Sequence, residues 1–156
     1  MYTYSPYKWW LDRRIGSPFF GSIRCGVKIQ FNLLFYFEDL SNYPECSSYA
    51  WLKDANRNEK DTSSTVLCDI HLIFGWYRFG GQAGIKMPTS CVPGHRCGTQ
   101  AAGWMNGVHP TVSDGKVTRK VCYHYSSDCC EWSNNIEVLN CGYFFIYKPS
   151  PTPLRL

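Results

Sequence analysis

Seven of the nine cysteines of this 156-residue chain, Cys68, Cys91, Cys97, Cys122, Cys129, Cys130 and Cys141, fall between residues 68 and 141. Roughly one residue in ten is cysteine there, the density of a disulfide scaffold and not of an ordinary cytosolic core. Cys129 and Cys130 are adjacent and cannot bond each other without strain, so they are expected to reach different partners. The length suits one domain. Aromatic residues at 17% and charged residues at only 18% fit a small interior reinforced by cross-links. The stretch from Cys68 to Cys97 gathers three cysteines, the block Gly75-Trp76-Tyr77-Arg78-Phe79 and the glycine pair Gly80-Gly81. Gly103-Trp104-Met105-Asn106-Gly107-Val108-His109-Pro110 follows close behind.

The formal charge of +4 points to nucleic acid or a membrane surface only until it is located. Residues 1–30 hold Lys8, Arg13, Arg14, Arg24 and Lys28 against Asp12 alone, whereas from residue 31 onward acids and bases cancel. The body is neutral, and no nucleic-acid partner is implied. Residues 1–40, with Trp9-Trp10, Phe19-Phe20 and Cys25, sustain neither strand nor helix periodicity and are left unassigned. No secretory signal is recognisable: the nearest apolar run, Phe31–Phe37, contains Asn32, lies far from Met1 and precedes Glu38-Asp39. The expectation is that the true amino terminus lies elsewhere and that this segment is a disordered, incorrect or partial start. No stretch approaches the roughly 20 apolar residues of a transmembrane helix.

From Ser41 the texture changes. Lys53–Thr65 is polar apart from Ala55 and reads as a solvated loop. Lys116–Tyr125 alternates, with Val117, Val121, Tyr123 and Tyr125 on one side and Thr118, Lys120, Cys122 and His124 on the other, after a tight turn at Asp114-Gly115. Ile136–Tyr147 reads as one further strand, with Ile136, Val138, Phe144 and Ile146 on one face and Leu139, Cys141, Tyr143, Phe145 and Tyr147 on the other. Apolar residues on both faces predict burial. Helical spacing is nowhere sustained, so the body is expected to be mainly β, a small disulfide-stapled module with long loops. Pro149-Ser150-Pro151-Thr152-Pro153 forms an extended tail.

Cys46-Ser47-Ser48-Tyr49, Cys68-Asp69, Gly75-Trp76-Tyr77-Arg78-Phe79, Cys91-Val92-Pro93, Cys97-Gly98-Thr99, Gly103-Trp104, Asn106-Gly107 with His109-Pro110, Cys122, Cys129-Cys130 and Cys141-Gly142-Tyr143 together resemble the cysteine-rich module of the uromodulin and pancreatic zymogen granule glycoprotein family. The likeness covers about residues 44–153. It implies a β-rich, disulfide-bonded, secreted or cell-surface module without catalysis, set among other extracellular domains, with extracellular proteins or glycans as partners. It also implies the pairs Cys46 with Cys141, Cys91 with Cys129, and Cys122 with Cys130. Longer members of the family carry two more cysteines past the segment matching Tyr143–Tyr147. The resemblance therefore implies a chain incomplete at its carboxyl end, a fragment in which Cys68 and Cys97 lack partners and Cys25 is the one spare. In uromodulin-like members the module displays an N-glycan that adhesins bind. Here the matching position reads Asn106-Gly107-Val108, and no N-x-[ST] sequon occurs in the chain.

Other chemistries fit the residues less well. His71, His95, His109 and His124 lie near cysteines, but no closely spaced cysteine pair is followed by a second spaced pair, so no metal site is expected. A thiol nucleophile would need His109 or His124 beside a free cysteine such as Cys97. The Phe79–Lys86 run fits neither phosphate-loop pattern, and its glycines are expected to serve a turn between strands. Arg78 could bind an anion, but stacking on aromatic rings and bonding loop carbonyls is favoured. Trp76 and Trp104 could form a sugar platform, but with Tyr77 and Phe79 they are expected to anchor the core. The reading is a non-catalytic extracellular interaction or structural module with no cofactor. The alternatives are a lectin-like carbohydrate-binding module and, behind it, a secreted enzyme of unrecognised type.

Overall fold

The computed structural model describes residues 42–63, 66–69, 72 and 74–151, all within one compact unit, Phe37–Leu156. The expectations for residues 1–40 and Cys25, for His71, and for the end of the tail lie outside the described residues. The body is mainly β, as its alternating segments predict. Six strands, β1 (Ala50–Leu52), β2 (Tyr77–Phe79), β3 (Gly103–Asn106), β4 (Lys116–Tyr125), β5 (Asp128–Asn140) and β6 (Phe145–Lys148), form a sheet in the order β1-β2-β6-β5-β4-β3. All neighbours are antiparallel except β1 and β2. Helical structure among the described residues is confined to short 3₁₀ turns such as Pro44–Ser47, Ala55–Arg57 and Gly81–Ala83. No helix there is long and apolar enough to cross a membrane.

The β4–β5 hairpin is the spine, and its start follows from local chemistry. Gly115 takes φ +62°, a left-handed conformation that favours glycine. Its N–H bonds the Val112 carbonyl at 3.1 Å while Asp114 accepts from the Thr111 N–H at 2.8 Å. β4 then runs as the alternation predicts and returns through Ser126-Ser127, with Tyr125 paired to Asp128.

The single strand expected over Ile136–Tyr147 is two strands. β5 ends at Asn140, which pairs with Phe145 of β6 across a tight loop. Gly142 turns the chain at φ +82°, its N–H bound to the Asn140 side chain at 2.8 Å, and the Cys141 N–H bonds the Phe144 carbonyl at 2.8 Å. Reversing the chain here exchanges the faces of everything beyond it. Phe145 and Tyr147 join Ile136 and Val138, while Phe144 and Ile146 join Leu139 and Cys141.

Both faces of the sheet are therefore covered, which is why both read as apolar. On one, Met105, Val121, Ile136, Val138 and Tyr147 cluster, with Phe79, Met87, Val117, Tyr123 and Phe145 packed around them. On the other, Leu139, Cys141 and Ile146 lie under Tyr43, Cys46, Tyr49, Trp76 and Phe144. Met105, 0% exposed, is the largest fully buried side chain.

Candidate functional site

Three disulfides frame the body. Cys46–Cys141, 95 residues apart in sequence, ties the segment before β1 to the β5–β6 turn. Cys91–Cys129, with Cα atoms 5.7 Å apart, pins the long β2–β3 connection to the start of β5. Cys122–Cys130 crosses between β4 and β5. Cys68 and Cys97 are free, the first exposed and the second partly buried. Their segments meet through a 2.7 Å bond from the Leu67 N–H to the Gly98 carbonyl. Burial pushes the Cys97 thiol up to about 11, with Glu59 and Asp61 adding to the effect.

The Trp76–Phe79 segment splits between the two faces because β2 is extended and its side chains alternate. Tyr77 and Phe79 point to the Met105 face, where they line an open apolar cavity of about 730 Å³ with Leu52, Met87, Val121 and Tyr147. Cys68 and Cys97 lie on its wall. Trp76 packs on the opposite cluster, with the Lys116 ammonium 5.9 Å from its ring. Lys116 also pairs with Glu45, which holds that carboxyl below its ordinary range.

Arg78 emerges on this second face beside Trp51, with which it is paired in register. Its guanidinium lies 3.8 Å from the ring centre of Phe144, 4.5 Å from that of Trp51 and 5.6 Å from that of Tyr49. It donates one hydrogen bond, to the Tyr49 hydroxyl at 2.8 Å. Stacking was the expected mode, but the polar partner is a phenol and not a loop carbonyl. The slot exists because Cys46–Cys141 and the Gly142 turn bring Tyr49 within 5.4 Å of Phe144. Spacing does not reveal Tyr49, Trp51 and Phe144 as its walls, since Phe144 lies more than 90 residues from the Tyr49-Ala50-Trp51 stretch.

Trp104 departs from its expected place. It stands outside both apolar clusters, and its indole N–H donates to the Cys129 carbonyl at 2.7 Å. β3 is an edge strand on which Met105 takes the inward position, so Trp104 braces the disulfide-bearing end of the hairpin instead.

His109 and His124 are both engaged, and neither faces a free thiol. His124 meets the Val92 carbonyl at 2.8 Å and the Cys91 sulfur at 3.8 Å. Cys91, His124 and Cys129 are close enough for a metal, but both sulfurs are spent in a disulfide. His109 sits on Phe145 with ring centres 4.4 Å apart and meets the Tyr147 hydroxyl at 2.8 Å. Burial, then Lys86 and Arg119, lower its pKa to about 4. His95 belongs to a loop, where its backbone N–H bonds the Gln100 carbonyl at 3.2 Å.

A family model described as a uromodulin-like domain matches residues 77–155. The chain belongs to that family. Among the relatives of this uromodulin-like chain, the pancreatic secretory granule membrane major glycoprotein GP2 of Canis lupus familiaris is 41% identical over 113 residues, which is 72% of this chain and 22% of that protein. Uromodulin of Mus musculus is 49% identical over 109 residues, 69% of this chain and 17% of that protein. The human GP2 glycoprotein is 36% identical over 112 residues, 71% of this chain and 21% of its own length. The chain thus spans about a fifth of the length of the curated relatives it matches. The resemblance carried by the cysteine and aromatic motifs is borne out. The sheet of this uromodulin-like domain exposes Asn106 at the end of β3, followed by Gly107 and an exposed Val108. That tripeptide is not an acceptor for N-glycosylation.

Proposed function

We propose that this uromodulin-like chain is a non-catalytic module of a secreted or cell-surface protein, whose work is to present a rigid surface to extracellular proteins or glycans. The observation that carries the reading is the disulfide frame. Two of its bonds join segments 95 and 38 residues apart around two small apolar clusters, an economy suited to an oxidising compartment. The state of the reactive groups supports the absence of turnover. Cys97 is driven away from its thiolate, and both His109 and His124 are committed to neighbours. Extent is part of the same proposal: the module covers about residues 44–153, and residues 1–40 lie outside it.

The test is to fuse a working signal peptide to the full chain, collect the secreted protein, map its disulfides and pass it over extracellular material. Secretion with cross-linked cysteines and capture of a protein or glycan is expected. Fully reduced cytosolic protein as heat-stable as the secreted form would refute it. One observation favours the lectin-like form of this reading: Trp51 is 45% exposed beside Arg78.

A further inference from the structure

Most cations on this body are either paired or simply solvated. Arg57 pairs with Asp54 and Asp69, Lys116 with Glu45, and Lys148 with Glu137. Arg96 and Arg119 donate to backbone carbonyls, and Lys60, Lys86 and Lys120 are exposed. Arg78 and Lys53 differ in meeting at one aromatic ring, that of Trp51. Among the described residues no carboxylate lies within ion-pair distance of either, and the one hydrogen bond of Arg78 goes to a neutral phenol. A guanidinium carries several N–H donors in a rigid planar fork matched to a carboxylate, so most of this fork is unspent.

The fork is also held in place. Phe144, Trp51 and Tyr49 wall it, and the Tyr49 hydroxyl fixes its rotation. Lys53 stands over the same Trp51 ring at 4.3 Å from its centre, so two cations without a carboxylate meet at one half-exposed indole. Weak hydration of the guanidinium and its aromatic surroundings lower the cost of desolvating it on binding.

We propose that Arg78, with Lys53 and the rim of Trp51, is a binding site for a carboxylate-bearing sugar, a terminal sialic acid or a uronic acid. The carboxylate takes the free edge of the Arg78 fork, Lys53 adds a second charge contact, and the ring's C–H face rests on the exposed aromatic rim. A sugar fits better than a peptide because this face offers an aromatic floor at Trp51, Tyr49 and Phe144 around the guanidinium. The large groove lies on the opposite face. The proposal rests on the glycan-binding form of the function proposed above and names its ligand class.

The experiment is nitrogen-15 NMR on the secreted full chain, following the Arg78 Nε–H and Trp51 indole N–H signals. Methyl sialoside, its methyl ester, methyl glucuronide and methyl galactoside are each titrated into the low-millimolar range. The two signals are assigned with Arg78→Lys and Trp51→Phe. Saturable shifts of both are expected with at least one acidic sugar, and comparison of sialoside with glucuronide tells which source of carboxylate is preferred. The ester and the galactoside should bind at least tenfold more weakly, as should Arg78→Lys, whose amide spectrum reports whether the fold is intact. Should that variant misfold, Lys53→Gln on the exposed rim must still weaken acidic-sugar binding by threefold or more.

Equal binding of galactoside and sialoside, no saturable shift with either acidic sugar, or tighter binding at Arg78 by a short Asp/Glu peptide would each overturn the proposal. If sugars fail while the disulfide-bonded, secreted chain still captures a protein partner, this site alone is wrong. If the secreted chain lacks its cross-links, the wider reading fails first.

Discussion

Replacing Cys46 and Cys141 together by alanine should cost more stability than replacing Cys122 and Cys130, although both pairs cross-link the same compact body. The first bond spans a separation of 95 residues, the second only 8. Because Cys91–Cys129 shortcuts the longer path, the loop that Cys46–Cys141 effectively closes is roughly 60 residues. Loop-closure entropy then assigns roughly 4.2 kcal/mol to the long bond and roughly 2.5 kcal/mol to the short one. Cys141 and Cys122 are both fully buried, so the space left by each replacement adds about 1 kcal/mol to either variant and cancels in the comparison. Equilibrium urea unfolding of the oxidised full chain at about pH 6, where thiol exchange is slow, measures the difference. The long-bond variant should be weaker by roughly 1.7 kcal/mol. Equal losses, or a larger loss for the short bond, would show that the cross-links do not act mainly by constraining the unfolded chain.

Met105→Ala should destabilise by about 3 kcal/mol, because its side chain fills the centre of one apolar cluster from an edge strand with little room to collapse; thermal unfolding checks it, and a loss below about 1 kcal/mol refutes it. His109 has its folded pKa lowered to about 4 from an ordinary 6.5, so the unfolded chain binds its proton first as pH falls. Its contribution is complete above about pH 6.5 and gone below about 4; after discounting for solvent screening this amounts to about 1 kcal/mol, and His109→Gln should flatten the stability profile over that window. In a Cys25→Ser background, a disulfide reagent at about pH 8 should titrate two thiols at unequal rates. Exposed Cys68 reacts first, and Cys97, with a thiolate fraction of roughly one in a thousand, follows at least tenfold more slowly. Equal rates would contradict the burial of Cys97.

What could be read from the chain depended on how local its cause was. β4 has the bounds its alternation predicts, because the Asp114-Gly115 turn and the period of two both act within a few residues. The continuation from Ile136 misled because an unbroken apolar run hides a reversal. Gly142 and the Asn140 side chain turn the chain there, and the apolar residues before and after the turn both alternate between the two clusters. Trp104 misled for a related reason, since a large ring near glycines reads as an anchor until the sheet order makes its strand an edge. The Arg78 slot was least legible. Its walls lie on β1, before it, and in the β5–β6 turn, and only the Cys46–Cys141 bond and a parallel β1–β2 pairing bring them together.

The alternation of β2 joins these observations. Tyr77 and Phe79 are spent on the cavity face, so the residue between them is obliged to leave on the other side. An aliphatic residue there would complete the Leu139 cluster, which already carries Trp76, Tyr49 and Phe144. A guanidinium instead brings donors that the cluster cannot satisfy, and only the Tyr49 hydroxyl meets one of them. Stability alone therefore does not account for arginine at this position. Arg78→Met, which keeps the stem and the stacking volume, should leave the melting temperature within a few degrees while abolishing binding of acidic sugars. A large fall in melting temperature with Met, recovered by Lys, would mean that the charge serves the fold.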